Sequence, residues 1–445
     1  MPQNLILIIK KKILSQPILV SMFSVGLATL IVKIISFYKE AVVASSFGLS
    51  ELLDTFLIAI LIPSFIQNVF INALSNLFIP NYINELNTTK KKGQFQGLII
   101  CIILFLVFVL TIITLLFSNF FLETVFPGHQ ESYYELIKTQ LYYILPCLLL
   151  WGSTSYLGAL LEIESIFFPS TISPIFTAIT TLLCLFFFKE EFGSMVLVMG
   201  LLSGSILSFI YLLSICLYHN CIEIGLPSLN TNMRVMIRQL PPKITSGFLT
   251  GVNPFVDQFF AAQLMVGSIA SISYGTKIPA FIVGILIMAI GNVLLPHFSR
   301  LINENLKKAF HQLFKILKLV FLISAVLSLL MILFSDQIIT ILFERKEFTS
   351  ENTEVVADIQ KIYLVYVPFY LCTLVQVKFL TSINKNQFMA WISFLNLILN
   401  LILNIIFVKI YGIYGLVLST TFVYIITSII YTTYTYKHYK KLLTN

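Results

Sequence analysis

Charge is what this 445-residue sequence has least of: only 11% of its residues are Asp, Glu, Lys or Arg, less than half the share of an ordinary globular domain. A water-soluble domain of this length needs a charged surface, so that class is excluded. Histidine and tryptophan are scarce, with five and two copies, and the sequence has no phosphate loop or dinucleotide fingerprint. His129, His219, His297, His311 and His438 fall in loops, near a helix end or in the tail, so no triad, metal cluster or general-base pair emerges. Of six cysteines, Cys101, Cys147, Cys184, Cys216 and Cys372 lie in apolar runs and Cys221 just beyond one; their spacing suits no metal, and free thiols are expected. The longest segments outside the apolar runs and assigned to the outer side, 118–135 and 335–358, are short for an extracytoplasmic catalytic domain. The sequence therefore points away from an enzyme and from any cofactor.

What is present is apolar sequence in long runs. Hydrophobic residues make up 58% of the chain and the mean hydropathy is +0.93, which predicts a polytopic membrane protein. A spanning helix needs about 20 apolar residues, and about twelve windows of that length centre on Val25, Phe65, Leu106, Leu145, Thr177, Leu207, Gly251, Leu286, Ala325, Tyr370, Ile398 and Phe422. The runs are too long and too uniform for barrel strands, which alternate over about ten residues, so an all-α bundle is expected. Lys10, Lys11 and Lys12 precede a run that passes Leu30 without a small-residue cleavage site, which reads as a first span rather than a cleaved signal.

Basic residues set an orientation. With the N-terminus in the cytoplasm, the loops on that side hold Lys10–Lys12, Lys90–Lys92, Arg234, Arg238, Arg300, Lys307, Lys308, Lys385, Lys437, Lys440 and Lys441. The opposite loops hold chiefly Lys189, Arg345, Lys346 and Lys409 among many acids. This positive-inside bias predicts both termini in the cytoplasm. It also accounts for the net charge of +8 through topology and anionic lipid, with no nucleic-acid partner.

The second half echoes the first. Ile62-Pro63-Ser64-Phe65-Ile66 recurs as Ile278-Pro279-Ala280-Phe281-Ile282, and Asn76 to Pro80 recurs as Asn292 to Pro296, each at an offset of 278 − 62 = 296 − 80 = 216. A weaker echo pairs Leu145-Pro146 with Val367-Pro368. Six spans per copy keep the two copies in the same orientation, so two parallel-repeat six-helix lobes, 1–225 and 226–445, are expected around a central cavity. That is a transporter architecture.

Polar residues inside the spans nominate the site. An ionisable group at membrane depth costs roughly 2.5–3.5 kcal/mol even on insertion scales, so each one needs a reason. Lys33, Lys39, Glu40 and Asp54 open the chain, followed by Gln67, Asn68, Asn72 and Asn76, with Ser75 alongside. The i, i+4, i+8 spacing of the amides puts them on one helix face, and Pro63 predicts a kink. Lys277 stands one residue before the repeated Ile-Pro. Lys33, Lys39 and Lys277 together suit an anionic ligand such as a diphosphate; Lys33 and Lys39 lie about 120° apart on an ideal helix, so a bend is needed for both to line one cavity. Lys378 is a further candidate. Snorkelling of the lysines, or an ion pair between Lys39 and a nearby carboxylate, is the plainer reading.

A second polar stripe, Ser246, Thr250, Asn253 and Asp257, ends in a carboxylate, and Asn396, Asn400, Asn404 and Ser419, Thr420, Thr421 supply oxygens on later spans. Such a set suits coupling to sodium or protons. Interhelical hydrogen bonding is the simpler alternative.

KIISFYKEAVVA (33–44), Phe47-Gly48, Asp54-Thr55-Phe56, Ile62-Pro63 and Phe78-Ile79-Pro80 resemble the opening signature of the MurJ/MviN lipid II flippases, in the multidrug/oligosaccharidyl-lipid/polysaccharide exporter superfamily. Tyr274 to Pro279, Leu294-Leu295-Pro296 and Leu342 to Thr349 resemble its second-lobe signatures. The family usually has arginine at the positions of Lys33, Lys39 and Lys277, a basic pair at Gln67 and Asn68, and often two further C-terminal spans. The resemblance implies a monomeric flippase that moves a polyprenyl-diphosphate-linked glycan to the outer leaflet by alternating access, helped by the membrane potential, with membrane lipids as its surroundings. An O-antigen or capsule repeat-unit flippase, a multidrug antiporter and a membrane glycan polymerase or ligase are the rival readings.

Overall fold

The computed structural model describes the backbone of residues 17–89 and 91–444; Lys10, Lys11, Lys12 and Lys90 lie outside the described residues. Every regular element among them is helical, and the β-bridge between Arg345 and Phe348 is isolated. The long helices are α1 (Pro17–Phe47), α2 (Glu51–Ile66), α3 (Asn72–Asn87), α4 (Lys92–Val125), α5 (Glu131–Ile163) and α6 (Ile175–Phe187). They are followed by α7 (Val196–Tyr218), α8 (Thr231–Ala262), α9 (Ser268–Glu304), α10 (Leu306–Leu333), α11 (Ser350–Ser382) and α12 (Asn386–Thr444). Each of the twelve predicted span centres falls inside one of these helices.

Nine helical stretches among the described residues are long and apolar enough to cross a membrane. One of them, Asn386–Leu442, runs for 57 residues, about 85 Å at 1.5 Å per residue, twice what a bilayer crossing uses. It is broken at Gly412, whose φ of 56° is open to glycine at no steric cost. A Cβ on Gly415 would run into the Phe407 carbonyl, so the two arms of α12 turn back on each other through two glycines. The expected eleventh and twelfth spans are these arms.

The chain divides into two compact units, Met1–Val43 with Thr55–Phe248, and Ala44–Asp54 with Leu249–Asn445. In the first, α5 is the hub, packing on α3, α4 and α7, while α6 packs on α7. In the second, α11 takes the corresponding place against α9, α10 and α12. Both hubs carry an internal proline, Pro146 and Pro368, the pair that the weaker sequence echo picks out.

Small residues let helices approach where lipid supplies no hydrophobic drive. A Cβ on Gly200 of α7 would sit 2.6 Å from the Thr181 Cα of α6, and the Thr180 hydroxyl donates to the Gly200 carbonyl at 2.7 Å. Gly200→Leu is expected to force α6 and α7 apart and lower unfolding free energy by about 1–3 kcal/mol. Gly26→Ala in α1, where a Cβ meets nothing within 4 Å, should leave thermal unfolding in detergent unchanged.

Candidate functional site

The first unit presents the amide stripe. Pro63 sits inside α2 and has no N–H to give the preceding turn, and four residues later the helix widens into a π-helical turn, Gln67–Ile71, where the Asn72 N–H reaches the Gln67 carbonyl. Such turns are rare and gather at functional positions. Val69, Ile71, Ala73 and Leu74 are buried on one side, while Asn68, Asn72 and Asn76 are all exposed on the other. The Asn72 amide donates to the Asn68 carbonyl oxygen at 3.3 Å, so these two share a face as their spacing predicts. Ser75 is tied to Ser155 at 2.6 Å. Behind the π turn, a Cβ on Gly247 of α8 would come within 3.3 Å of Val69 backbone atoms, and Phe65 meets Phe248 edge-on at 5.7 Å.

The candidate cations divide between the units. Lys33 and Lys39 lie on α1 in the first, an uninterrupted helix, and Lys277 on α9 in the second; all three are half-buried. Lys39 is paired with Glu40 at 2.7 Å, the ion pair that the sequence leaves open. Lys378 is half-buried on α11.

Asp54, expected at the substrate, is engaged by the protein backbone in this structure. It is 4% exposed, and its two oxygens accept the backbone N–H groups of Gly267, at 2.7 Å, and Ala270, at 2.8 Å. Ala270 lies 216 residues on, so the carboxylate reaches its own repeat-related position. It closes the start of α9, where the N-cap Gly267 has no side chain to offer and the amides and helix dipole favour a negative charge. The approach is close all round: a Cβ on Gly267 would press on Leu49, and one on Gly48 on the Glu347 carbonyl. Residues 44–54 thereby count with the second unit.

Asp257, on α8, gathers the second stripe. Its Oδ1 accepts the side-chain amides of Asn400 and Asn404, each at 3.1 Å, and its Oδ2 the Thr420 hydroxyl at 3.3 Å. The Gly412 turn is what puts Asn400 and Asn404 on one arm of α12 beside Thr420 on the other. The side-chain carbonyl oxygens of Asn404 and of Asn253, one turn before Asp257, are buried and have no hydrogen-bond partner among the described residues. Tyr366 stacks on Tyr424 at 4.7 Å, and Tyr363 and Tyr424 lie within electrostatic reach of the carboxylate. One carboxylate with spare amide oxygens is a donor set for a hard monovalent cation; among the described residues no cluster of three His, Cys, Asp or Glu exists for a transition metal. Asn396 instead accepts the Thr427 hydroxyl at 2.6 Å, and the Thr421 hydroxyl donates to the Ile362 carbonyl at 3.2 Å. Ser419 donates to the Asn400 carbonyl at 3.4 Å. Ser246 is exposed, and the side chain of Thr250 lies outside the described residues.

Sequence reasoning passed over two buried polar groups near the start of α4. Gln96, fully buried, donates to Tyr82 and to the Cys221 carbonyl and accepts from Tyr156 and the Glu223 N–H. Glu85, also fully buried, accepts the amides of Asn230 and Asn232 at 2.8 Å each. Together they strap the connection between the repeats onto the first unit. Gln96 stands in the polar lead-in to the apolar run, two residues after Gln94, so its burial carried no signal in the sequence.

Asp54→Ala should strand two buried amides at the α9 terminus and cost about 2–4 kcal/mol of stability. Asp54→Asn, which keeps one acceptor, should cost less. Thermal unfolding of the two purified variants measures the difference, and an Asp54→Ala protein as stable as the parent would contradict the capping role.

The sequence model of the lipid II flippase MurJ family matches residues 43–444. A probable lipid II flippase MurJ of Buchnera aphidicola subsp. Acyrthosiphon pisum is 26% identical over 355 residues, 77% of this chain and 69% of that protein. That of Borreliella burgdorferi is 23% identical over 422 residues, 93% and 82% of the two chains. Among solved structures, a lipid II flippase MurJ in an inward closed conformation superposes with a TM-score of 0.76 at 23% identity, covering 93% of this chain and 87% of its own. An inward-facing multidrug resistance MATE family transporter gives 0.77 at 14% identity, covering 94% and 99%. Both structures share the all-helical transporter fold, and the match along 43–444 places the sequence itself: the chain belongs to the lipid II flippase MurJ family.

Proposed function

We propose that this multi-pass membrane protein is a lipid flippase that moves a polyprenyl-diphosphate-linked glycan, the lipid II-like precursor of peptidoglycan, from the cytoplasmic to the outer leaflet by alternating access. The observation that carries this reading is the family match, which runs through both repeats from residue 43 to residue 444. The protein is a transporter rather than an enzyme in this reading, works as a monomer, and sits in the bacterial inner membrane with both termini cytoplasmic.

Lys33, Lys39 and Lys277 supply the positive charge for the diphosphate. They act as point charges, without the bidentate geometry of arginine. Lys39 has to exchange Glu40 for a phosphate oxygen, a swap between two anionic partners that keeps its charge compensated. The open amides of Asn68, Asn72 and Asn76 suit sugar hydroxyls, for which they offer both donors and acceptors. Asp54 contributes by holding the start of α9, the helix that carries Lys277. Export of an anionic head from an inside-negative cell gains about 2.3 kcal/mol per charge per 100 mV, so the membrane potential assists the step.

Cation coupling is assigned to Asp257 with Asn253, Asn400, Asn404 and Thr420. Turning the Asn400 or Asn404 amide through 180° exchanges its nitrogen for an oxygen and opens the carboxylate to sodium or a proton. The unpartnered oxygens of Asn253 and Asn404 support that use.

Complementation of a strain depleted of its lipid II flippase tests the substrate. Rescue by the parent and not by an equally expressed Lys277→Ala is the expected outcome. No rescue by well-expressed parent protein would point to a capsule or O-antigen repeat unit, and equal rescue by both would remove Lys277 from the substrate path. Sodium coupling is tested separately: sodium chloride, against choline chloride at equal ionic strength, should raise the thermal stability of the purified parent and leave Asp257→Asn unmoved. An identical sodium response in the variant would move the cation elsewhere.

A further inference from the structure

The second unit contains a groove of about 520 Å³ between α10, α11 and the second arm of α12. Its two ends differ. Lys318, Thr432 and Thr433 line one end, while Phe321, Leu322, Phe369 and Ile429 line the other. Lys318, Thr432 and Thr433 are all exposed, so the polar end is accessible.

The surroundings extend this polarity. From Leu319 to Leu333 α10 carries fifteen residues without a charge, about 22 Å of helix, so Lys318 stands where the apolar section begins. On its other side α10 carries exposed Lys307, Lys308 and Lys315. The second arm of α12 packs alongside in the opposite direction, with Phe310 stacked on Tyr439 at 5.7 Å and Phe314 against Tyr436 at 6.1 Å. That pairing brings its exposed Lys437 and Lys440 to the same end as the α10 lysines. One end of the groove is thus bordered by lysines from two helices, and the other is apolar apart from the buried Ser428 beside Ile429.

The first unit holds a control for this feature. A groove of about 670 Å³ lies between α4 and α5, lined by Leu104, Phe105, Phe108, Leu115, Pro146 and Leu149 among others, with no charged residue. It uses the Pro146 hub helix as the second groove uses the Pro368 hub helix. α4 carries no charged residue after Lys92 until Glu123, so a lysine inside the apolar groove is a property of the second repeat alone. Lysines used only for orientation need no such recess.

The geometry points to a resident anionic phospholipid in the second groove: a diacyl phosphatidylglycerol-type lipid with its phosphate at Lys318, Thr432 and Thr433 and an acyl chain along Phe321, Leu322 and Phe369. Lys318 gives a phosphate oxygen a charge-assisted hydrogen bond and the Thr433 hydroxyl a neutral one, while the Thr432 hydroxyl, which donates to the Ser428 carbonyl at 2.8 Å and accepts from Gln376 at 3.1 Å, lines the recess beside them. Basic recesses between membrane helices on the positive side bind anionic headgroups in this way. The groove takes an unflipped lipid of the bilayer and leaves the transported substrate to the other residues named above.

Native mass spectrometry of the purified full-length protein, titrated with phosphatidylglycerol or with zwitterionic phosphatidylethanolamine, reads the site directly. The parent should retain phosphatidylglycerol preferentially, and Lys318→Gln should bind it about five-fold more weakly, the value of one juxtamembrane lysine. Thr111→Phe, which fills the first groove, should not change phosphatidylglycerol binding. Lys318 is exposed, and thermal unfolding checks that its variant is intact; Ser428→Phe, which blocks the second groove without touching charge, provides an independent variant that should lose the same lipid. Equal retention of the two lipids by the parent, or unchanged phosphatidylglycerol binding in both groove variants, would overturn the assignment.

Discussion

The hydrocarbon of a bilayer gives no water to an amide, a hydroxyl or a carboxylate, and the placement of nearly every polar side chain here follows from that constraint. Backbone groups meet it by forming helices throughout. Side chains meet it in two ways. Gln96, Glu85, Gln376 and Asp54 are sealed in and bonded to backbone groups or to other side chains. Asn68, Asn72 and Asn76 stay open along one face. The first group holds the helices in place, and the second is available to a polar ligand.

A repeated architecture is put to unequal use. Each unit is built around a long helix with an internal proline, and each has a groove beside that helix. The π turn and open amides belong to the first repeat, while the half-buried Asp257 carboxylate with its amide and hydroxyl partners belongs to the second. The two bundles are alike in helix plan and unlike in the polar side chains they carry: exposed amides on α3 and its π turn in one, a carboxylate bonded to two amides and a hydroxyl in the other.

Asp54 joins these themes. A carboxylate inside an apolar helix reads as a ligand contact because its charge is costly there. Burial against two N–H groups at a helix start offsets that cost and places residues 44–54 with the second unit. In this position the carboxylate caps the start of α9, the helix that carries Lys277.

The helical class, the twelve spans and the 216-residue repeat were all readable from sequence, since hydropathy over 20 residues and the recurrence of Ile-Pro and Pro-terminated motifs are local properties of the chain. The grouping of Asp257 with Asn400, Asn404 and Thr420 was also readable as a set of oxygens, though nothing in the spacing showed that a turn at Gly412 would bring the last three together. The pairing of Lys39 with Glu40 was among the sequence's own alternatives, but the capping by Asp54 and the strap formed by Gln96 and Glu85 could not be read from it, because each depends on partners more than a hundred residues away. Sequence by itself determined which segments must leave water and which residues are too polar to do so unaided. Only the tertiary structure decided which of those residues are satisfied within the protein and which remain open, because a hydrogen bond is made to whatever the fold brings within 3 Å and chain order does not specify that.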